Sequence, residues 1–222
     1  QVLSLFEITP DYDLDIMQPG QTLSGITSHI LLKLEPVLQQ YSPDLVLVHG
    51  DTSTTLAAAL AAYYQKIAVG HVEAGLRSFN MAMPEEINRI LTDRISNLLL
   101  CPTDTAVNNL KREGFENYSC KIVKNGDVMQ DAALYYVQKA EQKSVILSKL
   151  NSPEFVLATF HRQENTDSPQ NLKGIIDGLN AINKQITVIV PLHPRTRNIL
   201  NAQKIVPEFT VIEPVGYFDM IL

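Results

Sequence analysis

The sequence predicts an α/β protein built on parallel sheets. Three observations carry that prediction. Short apolar stretches such as residues 45–48 and 67–72 alternate with helix-like stretches such as residues 53–65. The rhythm stops at Asn125-Gly126-Asp127 and then starts again. Polar residues able to do chemistry cluster just after the apolar stretches, where parallel sheets bind ligands.

Each element follows from its residues. Val2, Leu3, Leu5 and Phe6 read as the tail of a helix that begins before Gln1. Residues 7–20 hold Pro10 and Pro19 and form a loop. Leu23, Ile26, Ile30, Leu31, Leu34 and Leu38 recur at helical spacing over residues 22–41, with Pro36 as a kink position. A strand at 45–48 leads into a helix at 53–65, whose alanines at 57–59 and 61–62 allow close packing on a sheet. A second strand at 67–72 delivers Glu73 into the turn Ala74-Gly75-Leu76-Arg77. Met83-Pro84-Glu85-Glu86 opens a helix that runs to Ile95. A strand at 97–101, a helix from Asp104 to Arg112 stopped by Gly114, and a short strand at 121–123 complete this half.

The turn at Asn125-Gly126-Asp127 divides the chain into domains 1–126 and 127–222. A long amphipathic segment covers 128–150, followed by the turn Asn151-Ser152-Pro153. Strands at 155–160, 186–191 and 209–212 then alternate with helices at 171–183 and 194–202. The chain ends in a half-written helix at 218–222, so it reads as the middle of a longer protein.

Composition narrows the function classes. Of 222 residues, 45% are hydrophobic and 19% charged, which suits a globular fold with a sizeable core. The net charge of −6 and the lack of a long basic run exclude a nucleic-acid surface. No apolar run reaches membrane length, and no signal peptide is visible. Cys101 and Cys120, the two cysteines, read as buried free thiols of a protein in a reducing cytosol. Dinucleotide, P-loop, zinc and serine-nucleophile motifs are all missing, and no metal-ligand spacing is apparent.

Five stretches carry the chemistry. In His49-Gly50-Asp51-Thr52, Asp51 is either an N-cap or a carboxylate facing the ligand crevice. In the run from His71 to Arg77, Glu73 ends an apolar strand and needs a partner, either Arg77 or a ligand hydroxyl. Arg77 is also suited to hold a phosphate. Glu85 stands in the first turn of the next helix, close after Glu73 in sequence. In the second half, His161-Arg162 and His193 with Arg195 and Arg197 follow matching strands and suggest an anion site.

These stretches together, VLVHGDTSTT, GHVEAGLRSFN, MPEEINR, FHRQEN and PLHP, resemble the non-hydrolysing UDP-N-acetylglucosamine 2-epimerase family. The resemblance covers nearly the whole chain in the family's order. It implies two Rossmann-like domains in a GT-B arrangement, incomplete at both termini, with the nucleotide sugar between them. It implies inversion at C2 by elimination of UDP and re-addition through a 2-acetamidoglucal. Asp51, Glu73, Glu85 and His161 match the family's catalytic residues. Arg77, Arg162, His193, Val215 and Met220 fall at substrate-binding places, although Val215 stands where many members carry Gln, and Met220 near a position often held by Phe. Gly20 replaces an arginine used for allosteric activation in some members. The resemblance further implies UDP-N-acetylglucosamine and UDP as partners, a homodimer, no cofactor, no metal and a cytoplasmic location.

Four other readings remain open on the residues. A hydrolysing epimerase would release free N-acetylmannosamine and UDP. A sibling epimerase would act on a diacetamido-uronic acid sugar, with the loop at 78–83 carrying the difference. A GT-B glycosyltransferase would need an acceptor site rather than three carboxylates. A non-catalytic module would bind a nucleotide sugar without exchanging its C2 hydrogen.

Overall fold

The computed structural model describes residues 2–150 and 152–222. Gln1 and Asn151, expected in a helix tail and a turn, lie outside the described residues. The chain divides into two compact units, Gln1–Gln130 and Asp131–Leu222.

In the first unit a short helix α1 (Val2–Leu5) and an irregular stretch precede α2 (Leu23–Tyr41). Thr22 caps α2 by accepting the Gly25 N–H, Pro36 lies inside it without ending it, and left-handed Ser42 stops it. Then follow β1 (Leu45–His49), α3 (Ser53–Tyr64), β2 (Ala68–Val72), α4 (Pro84–Ile95), β3 (Leu98–Cys101), α5 (Asp104–Arg112) and β4 (Lys121–Lys124). The strands form one parallel sheet in the order β1-β2-β3-β4. Gly114 takes the left-handed conformation just after α5. Helix α6 (Val128–Lys143) carries the chain across the division between the units.

In the second unit, α7 (Ile146–Lys149), β5 (Val156–Leu157), α8 (Gln163–Thr166), α9 (Pro169–Asn183), β6 (Val188–Pro191), α10 (Pro194–Ala202), β7 (Thr210–Ile212) and α11 (Tyr217–Met220) follow in order. Its sheet is parallel, ordered β5-β6-β7. Leu172, Ile176, Val188, Val190, Leu192, Leu200 and Phe209 make its core. Apolar strands and helix stripes pack here as the alternating pattern requires.

Packing in the first unit explains its small residues. Ala59, Ala61 and Ala62 of α3 are buried against Val48, Val69 and Leu38. A second cluster joins Ala74, Leu99, Cys101, Ala106, Leu110 and Phe115. A Cβ added to Gly75 would lie 2.4 Å from the Ala106 carbonyl oxygen, so only glycine lets this turn touch α5.

Three expectations change. The strand expected at 155–160 is a ladder only at Val156–Leu157, because the chain leaves the sheet to form α8, where Thr166 N–H and hydroxyl both donate to the Arg162 carbonyl. The amphipathic segment 128–150 breaks at Ser144, whose hydroxyl binds Asp219 and accepts the Ile146 N–H at 3.1 Å. Cys120 is half-buried, whereas Cys101 is fully buried.

Candidate active site

Strands β1 and β2 lie side by side in a register that pairs Val48 with His71 and His49 with Val72. The two chains therefore leave the sheet together. Gly50 N–H donates to the Val72 carbonyl at 3.1 Å, and Glu73 follows at once. Gly50 has φ 76° and Glu73 has φ 70°. A glutamate in this left-handed region costs on the order of 1 kcal/mol, strain of a kind that collects at functional sites. The Glu73 carboxylate lies 3.4 Å from His49 Nε2, with the His49 side chain 48% exposed. His49 is therefore a half-open histidine at the strand end.

The turn after β1 is held through its carbonyls. Thr55 Oγ1 donates to the His49 carbonyl at 2.6 Å, His71 Nε2 to that of Gly50 at 2.9 Å, and Asn88 Nδ2 to that of Asp51 at 2.8 Å. All three donors are buried. Thr52, not Asp51, caps α3, which leaves the Asp51 carboxylate free for other work. It meets Arg89 Nη2 at 2.5 Å.

Arg89 also reaches Glu86 at 2.9 Å. Glu86 is 1% exposed and accepts the backbone N–H groups of Ser78 and Phe79, each at 2.9 Å. Burial pushes its carboxyl up, but those two N–H groups and Arg89 outweigh burial and leave it below the usual carboxylate range. Its neighbour Glu85 is exposed at the start of α4. Glu85 and Asp51 line one open cavity of about 330 Å³ with Met17, Thr52, Pro84 and Asn88. Glu73 stands beside this cavity's Asp51 turn, across Gly50, and is not among its lining residues.

Arg77 does not pair with Glu73. Its side chain is 1% exposed, with Nη1 2.8 Å from Asp93 Oδ2 and Nε 2.6 Å from Glu113 Oε1. Nη2 meets the other Glu113 oxygen and Nη1 the Leu76 carbonyl, so the fork has no face left for a phosphate. Burial works against its charge, but Glu113 and Asp93 outweigh burial and hold it more firmly protonated than usual. Asp93 also takes the Gly75 N–H at 3.1 Å and His71 Nδ1 at 2.6 Å. Sequence reasoning missed Asp93, His71 and Arg89, and treated Glu86 as an ordinary first-turn acid. Glu86, Arg89 and Asp93 recur at the spacing of one helix face, a polar stripe where an apolar one is normal, and that was the available signal.

In the second unit His161 and Arg162 are exposed after β5, with Arg162 3.7 Å from Glu164. His193 caps α10, its Nδ1 accepting the Arg195 N–H at 3.3 Å, so Nε2 carries the ring hydrogen. Arg195 pairs with Asp167 and Arg197 with Glu213, each at 2.5 Å. Val215 and Met220 line an apolar cavity of about 350 Å³ with Leu150, Phe155, Pro191 and Ile212. Among the described residues no group of His, Cys, Asp and Glu could hold a metal, and no helix is long and apolar enough to cross a membrane.

Known proteins resemble this chain in sequence and in fold. The chain is 50% identical over 213 residues to a UDP-2,3-diacetamido-2,3-dideoxy-D-glucuronate 2-epimerase of Pseudomonas aeruginosa, covering 96% of this chain and 59% of that protein. It is 41% identical to the UDP-N-acetylglucosamine 2-epimerase of Methanocaldococcus jannaschii, covering 96% of this chain and 60% of that one. The chain thus spans about three-fifths of the length of these relatives. Among solved structures, the Neisseria meningitidis UDP-GlcNAc 2-epimerase bound to UDP-GlcNAc matches with TM-score 0.85 and 39% identity, over 99% of this chain and 62% of that one. The M. jannaschii UDP-GlcNAc 2-epimerase in complex with UDP-GlcNAc and UDP matches with TM-score 0.82 and 40% identity, over 98% and 62%. The family model for UDP-N-acetylglucosamine 2-epimerase matches residues 1–222, and the chain belongs to that family.

Proposed function

We propose that the protein carrying this chain is a 2-epimerase of a UDP-activated 2-acetamido sugar, with UDP-N-acetylglucosamine and UDP-N-acetylmannosamine as its pair. One observation carries the reading: Asp51 and Glu85 line one cavity, and Glu73 opens the turn after the neighbouring strand, across Gly50. Inversion at C2 needs a proton taken from one face and returned to the other, hence more than one acid or base. Eliminating UDP builds positive charge on the sugar ring as the C1–O bond breaks, and fixed carboxylates stabilise it. The proposed route forms a 2-acetamidoglucal, then adds UDP back at C1. In the second unit, His161, Arg162 and His193 are the residues we assign to the UDP moiety, and Val215 and Met220 to its surroundings. The family's homodimer belongs to the same proposal.

A second reading differs only in the sugar. The relative at 50% identity acts, by its name, on a diacetamido-glucuronate, whereas the M. jannaschii UDP-N-acetylglucosamine epimerase stands at 41%. Proton NMR of the intact protein in deuterated water tests both. Deuterium entering C2 of UDP-N-acetylglucosamine, with UDP-N-acetylmannosamine appearing, supports the first reading. Exchange only in the diacetamido-uronate supports the second. No exchange at C2 in either sugar defeats both and favours glycosyl transfer or a binding module.

A further inference from the structure

His71 has two hydrogen-bond partners, and both accept. Its Nε2 lies 2.9 Å from the Gly50 carbonyl, and its Nδ1 lies 2.6 Å from Asp93 Oδ1. A carbonyl only accepts, so Nε2 bears a hydrogen. The second oxygen of Asp93 takes the Gly75 N–H at 3.1 Å and Arg77 at 2.8 Å, as a carboxylate does. An ionised carboxylate also only accepts, so Nδ1 bears a hydrogen as well. His71, Asp93 and Arg77 have side chains no more than 1% exposed, where an unbalanced charge is costly.

From this geometry we infer that His71 is an imidazolium clamp, a positioning residue that ties the turn bearing Asp51 to the turn bearing Glu73. One side of the ring fixes Gly50, the residue before Asp51. The other side, through Asp93, fixes Gly75, two residues after Glu73. The groups facing the clamp are Asp93 from α4, Arg77 from the turn after β2, Glu113 beyond it at the end of α5, and Cys101 from β3. Cys101 is pushed up to about 12 by burial and Asp93, with Arg77 opposing, so it adds no charge near neutral pH.

The functional side of this inference rests on the epimerase reading; the protonation does not. The first arm is nitrogen-15 NMR of the intact wild-type protein labelled at histidine, with the His71 signal assigned from a variant. Both ring nitrogens should carry a hydrogen near neutral pH. A neutral ring with one bare nitrogen near neutral pH overturns the clamp. The second arm compares two variants in the C2 exchange assay. His71→Gln has an amide that reaches as far as Nε2 and keeps a donor to Gly50. His71→Asn reaches only as far as Nδ1 and keeps Asp93 alone. Each variant breaks one arm of the clamp, so each should lose at least about tenfold in kcat, with KM within about threefold of wild type and the melting temperature little changed. Losses that only track the melting temperature, or a kcat within about twofold of wild type in either variant, overturn it and leave a purely structural histidine. If the wild-type protein exchanges C2 of no UDP-sugar, the proposed function fails, and the nitrogen signals alone decide the clamp.

Discussion

Asp51 and Arg89 meet at 2.5 Å although 38 positions separate them in the chain. The same guanidinium reaches Glu86, so one side chain ties the carboxylate after β1 to the buried face of α4. A lysine is a single point charge and cannot span both. Arg89→Lys should lose roughly 2 kcal/mol of transition-state stabilisation, about a 30-fold fall in kcat. Steady-state kinetics of UDP-sugar interconversion checks it. A rate within twofold of wild type would show that Asp51 needs no such anchor.

Glu73 should separate activity from stability. It has φ 70°, and its carboxylate approaches His49 Nε2 at 3.4 Å. Glu73→Gly removes backbone strain and should raise stability by about 0.5–1 kcal/mol. It should also abolish C2 exchange, as should Glu73→Gln. Urea unfolding beside the deuterium assay gives both answers. A destabilised or an active Glu73→Gly would contradict the account of the strained turn.

The stability contribution of Glu86 should depend on pH. Its folded carboxyl titrates below the ordinary glutamate range, so the unfolded chain binds the proton more readily. Stability from this group is therefore complete above pH 4.5 and is lost as pH falls through the lower, folded value. Glu86→Gln should cost about 2 kcal/mol near neutral pH, with the gap closing in acid. Unfolding midpoints at two pH values measure it, and a gap that widens in acid would reverse the sign argued here.

Arg77 should matter for folding more than for binding. Replacing it with Met leaves Asp93 buried beside His71 without its arginine, and leaves Glu113 without its fork. Breaking a buried pair in this way costs about 3–5 kcal/mol. Circular dichroism during urea unfolding should show that loss. A loss below about 1 kcal/mol, with weaker UDP binding instead, would restore the phosphate role expected from sequence.

Much of this was legible beforehand. Helices α4 and α10 span the residues expected for them, each with a proline at its first position. The turns after β1 and β2 were readable because a polar residue at the end of an apolar run stands out. Partners were not readable. Glu73 and Arg77 are close in sequence, yet the left-handed turn between them points Arg77 toward α4 and α5. Thr52 took the cap that Asp51 seemed placed to fill, since a hydroxyl one residue later has the better reach to Thr55 N–H. β5 was overestimated because apolar content from Phe155 to Phe160 reports burial, whereas a strand needs a ladder partner, and the pairing ends at Leu157.

The register between β1 and β2 has a consequence for how this protein tolerates length changes. Side chains on a strand alternate faces, so inserting or deleting one residue between Val69 and Glu73 would exchange His71 with Val72. The imidazole would leave Asp93 and Gly50 together, and the Glu73 turn would move off its partner. Such an indel has no partly active outcome. Lengthening the link between α3 and β2 at its exposed residue, Lys66, shifts no face and should be borne quietly.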